Sequence, residues 1–175
     1  MDVCTNVLIT NCNISVNDDA IALKGGKGPN ADKLPENGEN NQIVIENCTF
    51  GFCHCILTCG SETIHNNNIT VRNCVSDGAA CLFSLKMRPD TNQLNENILI
   101  ENITGYCKRI FSSYSFTQFP RSPLLHMSYG RNIILQNLNL KCDKLITAEK
   151  SNEYELENII IRNCNFECNE PIANS

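Results

Sequence analysis

Residues Asn6–Cys12 read NVLITNC, and close variants of this heptad return as QIVIENC from Gln42, NITVRNC from Asn68, NILIENI from Asn97, NIILQNL from Asn132 and NIIIRNC from Asn158. Self-similarity at a period near thirty residues is the signature of a solenoid, in which each unit stacks on the next. The second and fourth positions are apolar in every copy: Val7 and Ile9, Ile43 and Ile45, Ile69 and Val71, Ile98 and Ile100, Ile133 and Leu135, Ile159 and Ile161. That alternation is the period of a β-strand. A second β-prone run follows in each unit, at AIALK, CILTC, CLFSL, RIFSS, KLITA and PIANS, so each unit supplies at least two strands. The stretches Gly25–Asn41 and Tyr114–Tyr129 carry the glycines, prolines and asparagines of loop insertions.

A unit this short cannot bury a face alone, whereas stacking units in parallel at about 4.8 Å encloses one continuous interior. The expected fold is therefore all-β: a right-handed, single-stranded parallel β-helix of about six coils, forming one domain over residues 1–175. The leucine-rich pattern L-x-x-L-x-L is absent, and no segment shows a helical period. The sixth position of each unit is asparagine, at Asn11, Asn47, Asn73, Asn102, Asn137 and Asn163. Asparagine tolerates left-handed backbone angles, and stacked copies predict a ladder of side-chain amides. The seventh position holds Cys12, Cys48, Cys74, Ile103, Leu138 and Cys164, which predicts thiols stacked as small core hydrophobes.

With 42% hydrophobic and 19% charged residues, no tryptophan and a net charge of −5, the chain has the composition of a globular domain with an aliphatic core. It lacks the basic field that draws proteins to nucleic acid or to anionic membranes, and no apolar run approaches the roughly 20 residues of a membrane span. Neither partner is expected. The Met1 end shows no basic and apolar leader of the secretory kind. Cys53, His54, Cys55 and Cys59 lie close together, but on a strand the two flanking thiols face away from the imidazole, and no second C-x-x-C follows. No metal or other cofactor is expected. Arg72 and Arg162, in the outward fifth position, are read as a solvated face, and His65 and His126 as surface residues of turns or loops.

Chemistry-bearing residues concentrate in three consecutive units. Asn17-Asp18-Asp19 precedes the strand Ala20–Leu23 and Lys24-Gly25-Gly26; the next unit has FGFCHCILTCGSE from Phe50, with His54 at the matching place; the third has LFSLKMRPD, with Lys86 and Arg88. Stacking predicts acids, an imidazole and two cations on one face.

These three segments, in this order, resemble successive motifs of glycoside hydrolase family 28, the polygalacturonases and related pectin-degrading enzymes, whose fold is the pectin-lyase-like solenoid. The resemblance implies Asp18 as general acid, Asp19 as a carboxylate helping to activate water, and His54 as organiser of the acid side. It implies Lys86 as a substrate-binding residue, with Arg88 and Lys24 as further candidates for offsetting the charge of a pectin-type, anionic oligosaccharide or polysaccharide. Members of the family are inverting hydrolases. The insertion after Gly26 and the run Gly60-Ser61-Glu62 resemble exo-acting members more than endo-acting ones.

Three departures accompany the likeness. A further family aspartate, in an N-T-D-G motif, belongs just before the stretch resembling Met1-Asp2-Val3 and is not in this sequence. Ser84 occupies the position of the family's arginine, and Cys55 that of a glycine after the histidine. The expectation is a C-terminal portion of such an enzyme, lacking N-terminal coils and a cap and releasing little or no galacturonic acid by itself. A non-catalytic β-helical carbohydrate-binding or scaffold module is the alternative. The family implies an extracellular or periplasmic setting.

Overall fold

The computed structural model describes residues 1–121 and 125–170. Strands make up 60% of it, and its parallel sheet curls through 300° about one axis, as in a parallel β-helix. Among the described residues no helix is long and apolar enough to cross a membrane.

The six heptads stack in register. Val7 lies beside Ile43, Ile43 beside Ile69, Ile69 beside Ile98, Ile98 beside Ile133, and Ile133 beside Ile159. These belong to the strands Thr5–Thr10, Glu39–Glu46, His65–Ala79, Gln93–Cys107, Ser128–Gln136 and Tyr154–Arg162, which define coils one to six. The second apolar runs form another sheet, in which Ile21, Leu57, Phe83, Phe111 and Ile146 succeed one another. The run PIANS lies outside the described residues. Between these two sheets a third is built from short segments, with Asn13 beside Thr49, Thr49 beside Val75, and Asn139 beside both Thr104 and Asn165.

The interior is aliphatic, as the composition demands. Ile43, Ile45, Ile69, Ile98, Ile100, Ile133 and Leu135 are fully enclosed, and Phe83 stacks on Phe111 at 5.5 Å between centroids. Each such side chain contributes about 1.5–3 kcal/mol through burial. At the seventh position Cys48 and Cys74 are buried, but Cys12 is exposed and Cys164 only half-buried. Among the described residues the first coil pairs with the second and the sixth with the fifth, so this position is covered less there than in the inner coils.

The asparagine rows carry a correction. All six sixth-position asparagines have φ of about 55°, the left-handed conformation expected of them. Their side chains form only one link in this row, from Asn102 Nδ2 to Asn73 Oδ1 at 3.0 Å. The longer amide ladders run elsewhere. At the first position Asn158 donates to Asn132 and Asn132 to Asn97, which in turn donates to Asn67. A fully buried ladder joins Asn40 to Asn66 at 3.0 Å and Asn66 to Asn95 at 2.6 Å. The left-handed backbone does not itself prevent pairing, since Asn97, Asn132 and Asn158 share it at the first position and still ladder; the buried row has no water to bond and must pair with itself.

The outward fifth-position row is a solvated face of pairs, Arg72 with Glu46 at 2.7 Å and Arg162 with Gln136 at 2.9 Å. His126 departs from expectation: it is 4% exposed and its Nε2 lies 3.1 Å from Asn30 Oδ1. The Gly25–Asn41 insertion, which includes a short 3-10 turn at Ala31–Lys33, packs down on this histidine and on the turn after Met87.

Candidate functional site: a charged cleft across three coils

The outer face of the second sheet is where the three motifs meet. Alternation that sends Ile21, Leu23, Leu57, Cys59, Phe83 and Leu85 inward turns Ala22, Ser84, Lys86 and Ser112 outward. Two adjoining hollows of about 170 and 220 Å³ lie on this face and share Asp19 and Lys86.

The carboxylates arrive on the turn before Ile21. The Asp19 amide donates to Asp18 Oδ1 at 2.8 Å, and this bond, with the nearby charges of Lys86, His54 and Lys24, lowers the Asp18 pKa against the opposing effect of desolvation. Asp18 stays open to solvent and its Oδ1 lies 3.6 Å from His54 Nδ1. Stacking causes that approach, since the His54 amide donates to the Asp18 carbonyl at 2.9 Å. His54 also meets the exposed ring of Phe52 edge-on, with centroids 6.2 Å apart.

Asp19 faces the other way, into the cleft, and is largely enclosed. Lys86 Nζ donates to its Oδ2 at 2.9 Å. Burial alone would lower the Lys86 pKa, but the hydrogen bond and charge of Asp19 outweigh it and raise the value. Lys86 reaches across two coils from a place beside Gly60, where a Cβ would stand 2.8 Å from the Cβ of Lys86, so glycine leaves the lysine its room. Lys24 lines the same hollow and is 3.9 Å from Glu62, a long and half-exposed pairing.

Arg88 does not join them. It is fully buried, its Nη2 is 2.5 Å from Asp90 Oδ2, and it donates to the carbonyls of Gly26 and Gly28. Two residues beyond Lys86 the strand has ended, and the turn carries the guanidinium under the insertion rather than out along the sheet. Its donors tie the insertion to the coil, which is an architectural task.

Ser84 apart, several residues here had no separate signal in the sequence. Tyr114, Arg109 and the pair Ser84 and Ser112, whose hydroxyls are 3.0 Å apart, line the smaller hollow; Phe116 and Gln118 line the larger. Register alone could have found Tyr114, which lies beside Lys86. Cys55 and Cys81 form part of the wall, and burial pushes the Cys55 thiol well up. Cys53 is enclosed in the core, its thiol pushed up to about 11 by burial. Among the described residues no group of three or more His, Cys, Asp or Glu side chains is arranged to hold a metal ion.

A larger groove of about 510 Å³ lies where the strands of coils three to five begin, between Leu94, Tyr129, Met127 and His65. Its ionisable groups already have partners: His65 sits 3.3 Å from Glu39 and 3.1 Å from Glu96, Asp32 accepts from Thr91 and Asn92, and Arg131 pairs with Glu157. This groove is the larger of the two, whereas Asp18, His54 and Lys86 come together at the smaller cleft. Compared with known proteins, the chain matches no protein-family model and no curated protein.

Proposed function

We propose that the cleft binds a pectin-type, anionic glycan and hydrolyses its glycosidic bonds by an inverting acid/base mechanism, as the resemblance to polygalacturonases implies. The observation that supports this most is the meeting of Asp18, Asp19, His54, Lys24 and Lys86, drawn from three coils, around one open cleft. Asp18 would protonate the leaving oxygen, Asp19 would help to activate water, and His54 would orient Asp18. Lys86 and Lys24 would offset the sugar carboxylates.

In the free protein Asp18 is held deprotonated at neutral pH, which is the wrong state for an acid. A bound uronate changes both terms that matter. It excludes water from Asp18 and adds a negative charge nearby, and each effect raises a carboxyl's proton affinity. Exo action is the mode expected of a chain with this insertion beside Lys24.

The lowered Asp18 also favours a second reading, a module that holds the glycan without turnover. Reducing-end release from polygalacturonate separates the two. Hydrolysis that falls at least about 100-fold in both Asp18→Asn and Asp19→Asn, with the product appearing in the inverted anomeric form, supports the enzyme. Binding of oligogalacturonate without any release, also from a chain extended upstream to carry the N-T-D-G aspartate, sinks it in favour of the module.

A further inference from the structure

Register places one more charged group in the cleft than the motifs announce. The amide of Ala20 donates to the Cys55 carbonyl at 2.8 Å, that of Ile56 to the Cys81 carbonyl at 2.9 Å, and that of Leu82 to the Arg109 carbonyl at 2.9 Å. Asp19, Cys55, Cys81 and Arg109 therefore occupy one level on four successive coils. Arg109 stands three strand spacings from Asp19, roughly 14 Å along the helix axis.

Arg109 is half-buried, and its Nε is enclosed with no hydrogen-bond partner. Among the described residues no carboxylate pairs with its guanidinium. Asp19, the acid on the same level, is engaged by Lys86 instead. A guanidinium partly withdrawn from water and left unpaired is costly, so its retention in a cleft wall asks for an anion from outside. The hydroxyls of Ser84, Ser112 and Tyr114 share its hollow and suit the hydroxyls and ring oxygen of a sugar.

We infer that Arg109 is a carboxylate-binding residue, forming with Ser84, Ser112 and Tyr114 a subsite for a second acidic sugar one coil beyond Lys86. This rests on the polyuronide reading of the cleft. A glycan lying along the axis would then meet Lys24 and Asp18 on the first coil, His54 on the second, Lys86 on the third and Arg109 on the fourth. Its charges would be answered in turn. The planar fork of the guanidinium matches a carboxylate in two hydrogen bonds, which a methyl ester cannot accept with the same charge.

The test is calorimetric titration of the full chain with tetragalacturonate and with its fully methyl-esterified form. Arg109→Gln is expected to weaken the acidic oligomer about tenfold and to leave the ester's affinity equal to that of the unsubstituted protein. If R109Q does not fold, Arg109→Lys is read in its place, and loss of the fork should weaken the acidic oligomer about threefold. Unchanged affinity of the folded variant for tetragalacturonate, while the unsubstituted protein binds it, overturns the role of Arg109 and leaves the cleft's reading intact. An unsubstituted protein that binds neither oligomer overturns both.

Discussion

Lys86 Nζ and Asp19 Oδ2 meet at 2.9 Å across two coils, over the bare backbone of Gly60. The pair holds the floor of the cleft, because both groups are mostly enclosed and each is the other's charge partner. Lys86→Met leaves the Asp19 carboxylate enclosed without its cation, and a loss of about 1–3 kcal/mol is expected in urea unfolding at pH 7. The pH dependence has a definite sign. Because the folded Lys86 pKa is raised, the pair's contribution is complete below the ordinary lysine value near 10.5 and fades as pH rises through the higher folded value. The substituted protein should lose that alkaline decline; an unaltered decline would show that Lys86 is not its source.

Gly60→Ala tests the same approach from the backbone side. The residue has φ of +124°, and its new Cβ would collide with the Lys86 side chain. Strain and displacement together should cost about 1–3 kcal/mol. Affinity for oligogalacturonate should fall as well, since Lys86 can no longer lie flat toward Asp19. A variant as stable and as competent in binding as the parent would refute the steric argument.

For Asp18 the amide of Asp19 is the main influence, and it acts to keep the carboxylate charged. An NMR titration of the free protein should place the Asp18 midpoint below the ordinary aspartate range, and saturating oligogalacturonate should move it upward. The stabilising contribution of this group exists above about pH 4 and disappears as pH falls through the depressed folded value. A midpoint unmoved by the glycan counts against Asp18 as the proton donor.

Arg88 predicts a different pattern. Its pair with Asp90 is wholly buried, so Arg88→Met leaves a buried carboxylate unpaired and should cost about 3–5 kcal/mol. The carbonyls of Gly26 and Gly28 lose their donors at the same time, and limited proteolysis should cut the Gly25–Asn41 insertion sooner than in the parent. Equal digestion rates would separate Arg88 from the insertion.

The thiols should divide by exposure. Cys74 and Cys53 are enclosed, and burial pushes each up to about 11, so neither offers a thiolate at pH 8. Cys12 is exposed. A disulfide reagent should label Cys12 in the native protein and reach Cys53 and Cys74 only after unfolding. Native labelling of Cys74 as fast as Cys12 would show that the coils open.

The heptad repeats by themselves determined the strands, their parallel stacking, the number of coils and the inward positions. Alternation at Ile43–Ile45 or Ile98–Ile100 admits only one burial pattern, and stacking identical units admits only one register. That register also brought Asp18 to His54. What lay outside the repeat was decided in three dimensions. Lys86 could stand where it meets Asp19 because its neighbour on the adjoining coil is a glycine. Arg88, two residues farther on, was carried beneath the insertion, since a turn rather than a strand sets its direction. The asparagine amides laddered in the buried row of Asn40, Asn66 and Asn95 and in the exposed first-position row, and hardly at the sixth position. Arg109, in a run that reads as ordinary strand, stands out only once the coils are packed, because among the described residues no carboxylate pairs with it. Local pattern fixes which face a residue takes, whereas charge partners and water exclusion depend on what neighbouring coils bring to that face.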